Sequence, residues 1–167
     1  MKDCSKNNVP TIVIHLPDDA YPLNELGMER IKAIVFEAED NEVHIAFENL
    51  RNIQNLTLVL DCFHSECAGY CYDSCHHKNY APDHELPKQY GSRLMALHLH
   101  DNGGGHNQHR LPFDGKADWR EVMSRILLTG YKGATSLELM NWDYMHLSIQ
   151  QFLSLAYQKA KELDAMR

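Results

Sequence analysis

Five short apolar runs recur along the chain, and each ends in an acidic residue or a histidine. Their residues are β-branched or otherwise apolar in nearly unbroken order, which is typical of strands buried on both faces of a parallel sheet. Successive runs are separated by roughly the length of one βα unit. We therefore predict five parallel strands at Thr11–His15, Val43–Glu48, Ala68–Asp73, Leu94–His98 and Thr135–Glu138.

Amphipathic segments separate these runs. Apolar residues at helical spacing predict helices over Glu25–Glu39, around Leu56–Phe63, over Trp119–Thr129 and over Ile149–Leu163. Residues 76–90 are expected to be a loop with at most one short helical turn, and residues 101–115 a long polar loop. Alternating strands and helices indicate an α/β fold with the helices outside the sheet. A closed eight-stranded barrel needs about 250 residues, so we predict one domain over residues 1–167 that forms a partial TIM-type barrel.

Composition narrows the choice of partners and compartment. The net charge is -7, with no cluster of lysine and arginine, so nucleic acid is not a favoured partner. No apolar run approaches the ~18 residues of a membrane span, and no apolar signal region follows the N-terminus. The cysteines number five, an odd count that favours reduced thiols over a disulfide framework. We expect a cytoplasmic protein without membrane contact.

The residues that end the strands form a candidate metal site. Glu48, Asp73, His98 and Glu138 supply three carboxylates and one imidazole, and in a parallel barrel the carboxyl ends of the strands meet at one mouth. A divalent metal there would polarise a carbonyl, and two carboxylates, Glu48 and Glu138, could remove and return a proton at the next carbon. His100 is an alternative ligand on the fourth strand. Each residue alone has an ordinary structural explanation, and Asp73 could simply cap a helix.

Short motifs in the same order also resemble a known family, the xylose isomerase-like TIM barrel superfamily, which contains sugar isomerases and epimerases and the type IV apurinic endonucleases. The similarity extends over nearly the whole chain. The motifs that carry it are Ile14-His15-Leu16-Pro17, Phe47-Glu48-Asn49-Leu50, Tyr72-Asp73-Ser74-Cys75-His76, His98-Leu99-His100-Asp101, the segment His109–Trp119, and Leu137-Glu138 after Gly130-Tyr131-Lys132-Gly133.

The resemblance to ketose 3-epimerases implies roles for these residues. It makes Glu48, Asp73, His98 and Glu138 the ligands of one divalent metal, either Mn, Mg, Zn or Co, with Glu48 and Glu138 also serving as the acid/base pair. His98 is preferred to the alternative histidine because the family's ligand likewise stands three residues before an acid, here Asp101.

Residues around these four are implied to contact the substrate, a small-molecule sugar or sugar phosphate. They are His76, His15, His109 and Arg110. The epimerases carry an arginine shortly after the acid, where this chain has glycines, and Arg110 is the nearest arginine.

Two other functions stay open. The endonuclease branch uses three zinc ions, and His15, His76 and His109 match positions that it would use, but its Asp-x-His pair reads Asn107-Gln108-His109 here. An inactive partial barrel that keeps the ligands is the third possibility. The resemblance places His15 at the end of the family's third strand, so an open sheet would expose its edge, and we expect a homo-oligomer.

Overall fold

Four parallel strands form one sheet in the computed structural model, which describes residues 1–17, 21, 23–104 and 108–167. The strands lie in chain order as β1 (Thr11–Ile14), β2 (His44–Glu48), β3 (Ala68–Asp73) and β4 (Leu94–His98). Every neighbouring pair is parallel, so all four carboxyl ends lie at one edge of the sheet. Together with their helices they form half of an α/β barrel.

The predicted fifth strand is reduced to a single bridge. Leu137 pairs with Leu99 in parallel, through hydrogen bonds from Leu99 N to Ser136 O and from Glu138 N to Leu99 O, both 3.1 Å. Among the described residues the segment forms no other β-bridge, so no continuous ladder forms. The two bonds still place Glu138 beside the end of β4.

Seven α-helices occur in the described part of the chain. They are α1 (Lys2–Lys6), α2 (Glu25–Asp40), α3 (Ile53–Cys62), α4 (Ser74–Tyr80), α5 (Leu86–Tyr90), α6 (Trp119–Leu128) and α7 (Ile149–Asp164). The side chains of Asp118 and Ser148 cap α6 and α7, and Ser148 forms a capping box with Gln151. None of these helices has the length and apolar character that crossing a membrane requires.

The prediction of a loop over residues 76–90 was wrong, because two short helices lie there. Asp73 caps α4 by accepting a hydrogen bond from His76 N. Pro87 lies in the first turn of α5, where its missing N–H removes no helical hydrogen bond. Of the predicted polar loop, residues 105–107 lie outside the described residues, and Asn107 is among them.

The core lies between the sheet and the helices. Ile45, Phe47, Tyr70 and Tyr72 are all 1% exposed or less, as expected for strands covered on both faces. Arg93, just before β4, donates hydrogen bonds to the carbonyl oxygens of Leu60, Phe63 and Ala68 and so links α3, the following loop and β3. The five cysteines are free.

Candidate active site

The four predicted ligands lie together at the carboxyl edge of the sheet. Glu48, Asp73, His98 and Glu138 each offer one donor atom, and these atoms are all within 4.8 Å of one another. The first three are the last residues of β2, β3 and β4, and Glu138 follows the bridge at Leu137. Parallel pairing therefore gathers side chains that are far apart in the sequence, as the alternation of strands and helices predicted.

Glu48 is the centre of the group. Its Oε1 lies 3.0 Å from His76 Nδ1, and its Oε2 lies 3.0 Å from His98 Nδ1 and 3.2 Å from His15 Nε2. Burial opposes ionisation of this carboxyl, but the contacts with His76 and His98 and the positive charge on the imidazoles outweigh it and hold the pKa of Glu48 well below its usual range. The contact with Glu48 in turn raises the pKa of His98.

Asp73 acts both as a helix cap and as a member of the site. Its Oδ1 accepts the hydrogen bond from His76 N at 2.7 Å, and its Oδ2 lies 3.1 Å from His100 Nε2. The structural role that the sequence left open is therefore present, and it occupies Oδ1, whereas Oδ2 contacts a histidine of the site.

Asn49, which had no predicted role, and Asp101, the acid three residues after His98, form buried hydrogen bonds at this edge of the sheet. Asn49 pairs with the backbone of Asp73, accepting from its N–H at 2.6 Å and donating to its carbonyl at 3.0 Å. Asp101 is fully buried and accepts four hydrogen bonds, from the N–H groups of Asn102, Phe113 and Ala117 and from Trp119 Nε1. A polar residue directly after a strand-end ligand is the signal that could have identified Asn49.

The other predicted site residues differ in their exposure and in their distance from the four donors. The side chain of His15 is 65% exposed at the rim, whereas that of His76 is mostly buried beside Glu48. His109 Nδ1 lies 3.5 Å from Glu138 Oε2. Arg110 donates to Asp143 Oδ2 at 2.7 Å, so its guanidinium is paired with a carboxylate outside the four donors.

The donor set fits a divalent metal ion. Three carboxylates and an imidazole match the hard-to-borderline ligands that Mg²⁺, Mn²⁺, Zn²⁺ and Co²⁺ accept. The buried Nδ1 atoms of His76 and His98 approach Glu48 closely but have no aligned hydrogen-bond partner among the described residues. Converging donors that do not satisfy one another are the arrangement expected where an ion would complete the site.

Comparison with known proteins identifies the family. The model of the xylose isomerase-like TIM barrel family matches residues 6–155. An uncharacterized protein of Sinorhizobium fredii, y4fM, is 30% identical over 94% of this chain and 55% of its own length. Fructoselysine 3-epimerase of Shigella flexneri is 38% identical over 50 residues, which is 30% of this chain and 18% of that protein.

The fold has solved counterparts. The structure of a D-tagatose 3-epimerase-like protein superposes with a TM-score of 0.73 at 20% identity, covering 99% of this chain and 64% of that one. The chain thus spans about half the length of the first curated relative and under two thirds of this structure.

Proposed function

Since the chain belongs to the xylose isomerase-like TIM barrel family, we propose that it provides the metal site of a sugar or sugar-phosphate isomerase or epimerase. The observation that carries this proposal is the convergence of Glu48, Asp73, His98 and Glu138 within 4.8 Å. Similarity to proteins named as a 3-epimerase and as 3-epimerase-like supports a sugar as the substrate.

Glu48, Asp73, His98 and Glu138 would hold one divalent metal. Such an ion supplies Lewis-acid polarisation of a carbonyl oxygen, which makes the neighbouring C–H more acidic. Asn49 and His100 fix the position of Asp73 from either side. The protein therefore offers a site whose ligands are oriented before the substrate arrives.

The two glutamates would exchange the proton with the substrate carbon. Glu48 is 1% exposed and strongly ionised, while the Glu138 side chain is 38% exposed and so more open to a bound sugar. His15, His76 and His109 surround these carboxylates and would bind sugar hydroxyls, since an imidazole can donate or accept a hydrogen bond.

One observation favours a second candidate, a zinc phosphodiesterase of the apurinic endonuclease type. His15 and His76 both contact Glu48, which brings more imidazoles to the site than one metal needs. Cleavage of a duplex that contains an abasic site, assayed with Zn²⁺, tests this candidate. The net charge of -7 works against a DNA substrate.

The test of the epimerase proposal is isotope exchange. The metal-free chain is loaded with Mn²⁺ and incubated with a panel of ketoses in D₂O, and deuterium uptake next to the carbonyl is measured by NMR. Replacing Glu138 by Gln should lower exchange by about 10²–10⁴-fold, the usual contribution of a general base. Glu162→Gln, an exposed change on α7, should leave it unchanged.

Two outcomes would count against the proposal. Exchange that survives Glu138→Gln would remove the acid/base assignment. A chain that binds Mn²⁺ but exchanges no ketose in the panel would point to the inactive partial barrel.

A further inference from the structure

We propose that Cys71 is a further ligand of the metal ion that the four donors would hold, and that its thiol makes the site prefer Zn²⁺ or Co²⁺ to Mg²⁺ or Mn²⁺. This inference rests on the proposed function, because that function places one divalent metal at the four donors. No role in the site was predicted for Cys71, which lies in β3 two residues before Asp73.

The register of the sheet places Cys71 beside the donors. Its partner on β2 is Glu48, and Asp73 follows it by two residues on the same face of β3. The Sγ atom of Cys71 and donor atoms of Glu48 and His98 all lie within 4.8 Å of one another. Two of these three residues also belong to the four donors, so the thiol would contact the same ion and not a separate one.

The thiol of Cys71 has no other partner in the described part of the chain. Cys71 is 0% exposed, its Sγ forms no hydrogen bond with a described residue, and it is not in a disulfide. Cys75 is also buried, but its Sγ donates a hydrogen bond to the carbonyl oxygen of His100 at 3.1 Å. A buried sulfur atom that lies among metal-type donors and has no hydrogen-bond partner is available to bind an ion.

The burial of Cys71 determines the side from which it would bind. Cys71 and Glu48 are buried, whereas the side chain of Glu138 is 38% exposed. The thiol would therefore reach the ion from the interior of the protein, and a sugar would approach from the side of Glu138. A sulfur ligand at this position leaves the exposed side of the ion to the substrate.

The chemistry of sulfur makes this position one that selects between metals. Thiolate is a soft ligand that suits Zn²⁺ and the similar ion Co²⁺, whereas Mg²⁺ and Mn²⁺ are held by carboxylates, carbonyls and water. A thiol that coordinates an ion loses its proton to the solvent. Mg²⁺ and Mn²⁺ would bind through the four donors alone, and Zn²⁺ and Co²⁺ would gain Cys71 as an additional ligand.

The test is the absorption spectrum of the full metal-free chain during titration with Co²⁺, because a bond between Co²⁺ and thiolate gives a charge-transfer band in the near ultraviolet. The wild type should show this band together with the visible bands of bound Co²⁺. Cys71→Ser should keep the visible bands and lose the charge-transfer band. Cys75→Ser is the matched control and should keep both, since Cys75 is a buried thiol outside the donor groups of the described residues.

Metal affinity gives a second measurement on the same variants. By titration calorimetry, Cys71→Ser should lower the affinity for Zn²⁺ by at least about 10-fold, the smaller effect that loss of a group supporting a metal ligand has. Its affinity for Mn²⁺ should stay that of the wild type. An equal fall for both ions would show a general disturbance of the site and would overturn the role of Cys71 in selecting the metal.

The spectra separate this inference from the proposed function. Visible bands without a charge-transfer band in the wild type would overturn the role of Cys71 and leave the metal site of the four donors. A charge-transfer band that persists in Cys71→Ser would belong to another thiol and would also overturn the inference. A wild type that binds no Co²⁺ would contradict both proposals. If Cys71→Ser fails to fold by circular dichroism, Cys71→Ala decides, because it introduces no buried hydroxyl group.

Discussion

At the scale of single residues, buried polar side chains form hydrogen bonds to the segments around the predicted metal ligands. Asn49 fixes the backbone of Asp73, and Asp101 gathers four donors from the segment that leads to α6. Both side chains are almost completely buried. Replacing such a group lowers the stability of the fold, because each buried partner that loses its hydrogen bond stays desolvated without compensation.

Replacing Asp101 by Asn should destabilise the chain strongly. The amide presents an NH₂ group where the carboxylate accepted hydrogen bonds from two of its four donors, and each buried donor left unpaired costs about 1–3 kcal/mol. We expect a loss of about 2–5 kcal/mol in the free energy of unfolding, measured in urea. Asp61→Asn, at an exposed hydrogen bond with Tyr90, is the control and should change it by under about 1 kcal/mol. Equal losses in the two variants would contradict the role given to Asp101.

Asn49→Ala should lower the affinity of the site for a divalent metal. Without its two hydrogen bonds the backbone of Asp73 is less constrained, and loss of a supporting group typically lowers metal affinity about 10–100-fold. Titration calorimetry with Mn²⁺ measures the change.

The matched control for this variant is Asn55→Ala. Asn55 is also buried, and its side chain likewise bonds to backbone groups, of Pro17 and Leu23, away from the donors. It should lose stability and keep its Mn²⁺ affinity. The same drop in affinity for both variants would assign the effect to general destabilisation.

At the scale of elements, the strands β1 to β4 could be located from the sequence, whereas the shortest helices could not. β1 to β4 lie where continuous apolar runs predicted them. In β2 and β3 burial on both faces leaves few polar positions in the pattern, whereas β1 is apolar although it is only half-buried. The segment around Leu137 has a similar run but forms one bridge, since a ladder depends on neighbouring strands as well as on its own residues. The short helices α4 and α5 have too few turns to show a period. Only the cap residue Asp73 of α4 and the proline in the first turn of α5 could have indicated them.

Helix α4 gives the fold a dependence on pH through His77. Its Nε2 lies 2.9 Å from the carbonyl oxygen of His84, which fixes the proton there, and its Nδ1 accepts from Tyr72 OH at 2.7 Å. Burial, together with the nearby charge of Arg125 and the ring of His84, lowers the pKa of His77 below 6.5, while the His84 carbonyl and Glu121 oppose this.

The sign of the effect follows from proton uptake. Below about pH 6.5 the unfolded chain binds a proton at His77 that the folded chain does not, so this contribution to stability is present above that pH and is lost as the pH falls through it. Urea unfolding of the metal-free chain at neutral and acidic pH should show the loss, and His77→Gln should reduce it. An identical pH dependence in the wild type and the variant would contradict this role. The comparison with the variant is needed because His76 and His98 shift in the opposite direction.

The fold class of the whole molecule could be predicted from the sequence, but the hydrogen bonds that support the site could not. Chain length and the order of motifs predicted a partial barrel, and the half-barrel of four strands confirms that class. The strand-end positions of Glu48, Asp73 and His98 follow from parallel topology alone. The hydrogen-bond partners of Asn49, Asp101 and His100 could not be predicted, because most of them lie on distant segments of the chain and no periodicity encodes such contacts.

Exposed edges and apolar faces predict self-association of the chain. β1 is an edge strand of the sheet, with β2 as its neighbour. On α7, Ile149, Leu153 and Tyr157 lie four residues apart on one face and are 73%, 59% and 67% exposed. A strand edge with no neighbouring strand in the described part of the chain and an apolar helix face both favour contact with a second copy.

Sedimentation velocity across a dilution series tests this prediction. The wild type should shift from a larger species to the monomer on dilution, and Leu153→Lys with Tyr157→Lys should remove the larger species, because a charge buried in such an interface without a partner is costly. Leu58→Lys is the control, since Leu58 is 43% exposed on α3 and outside this face. A wild type that is monomeric at every concentration would contradict the prediction. Dissociation by the Leu58 change as well would show that contact is not confined to α7.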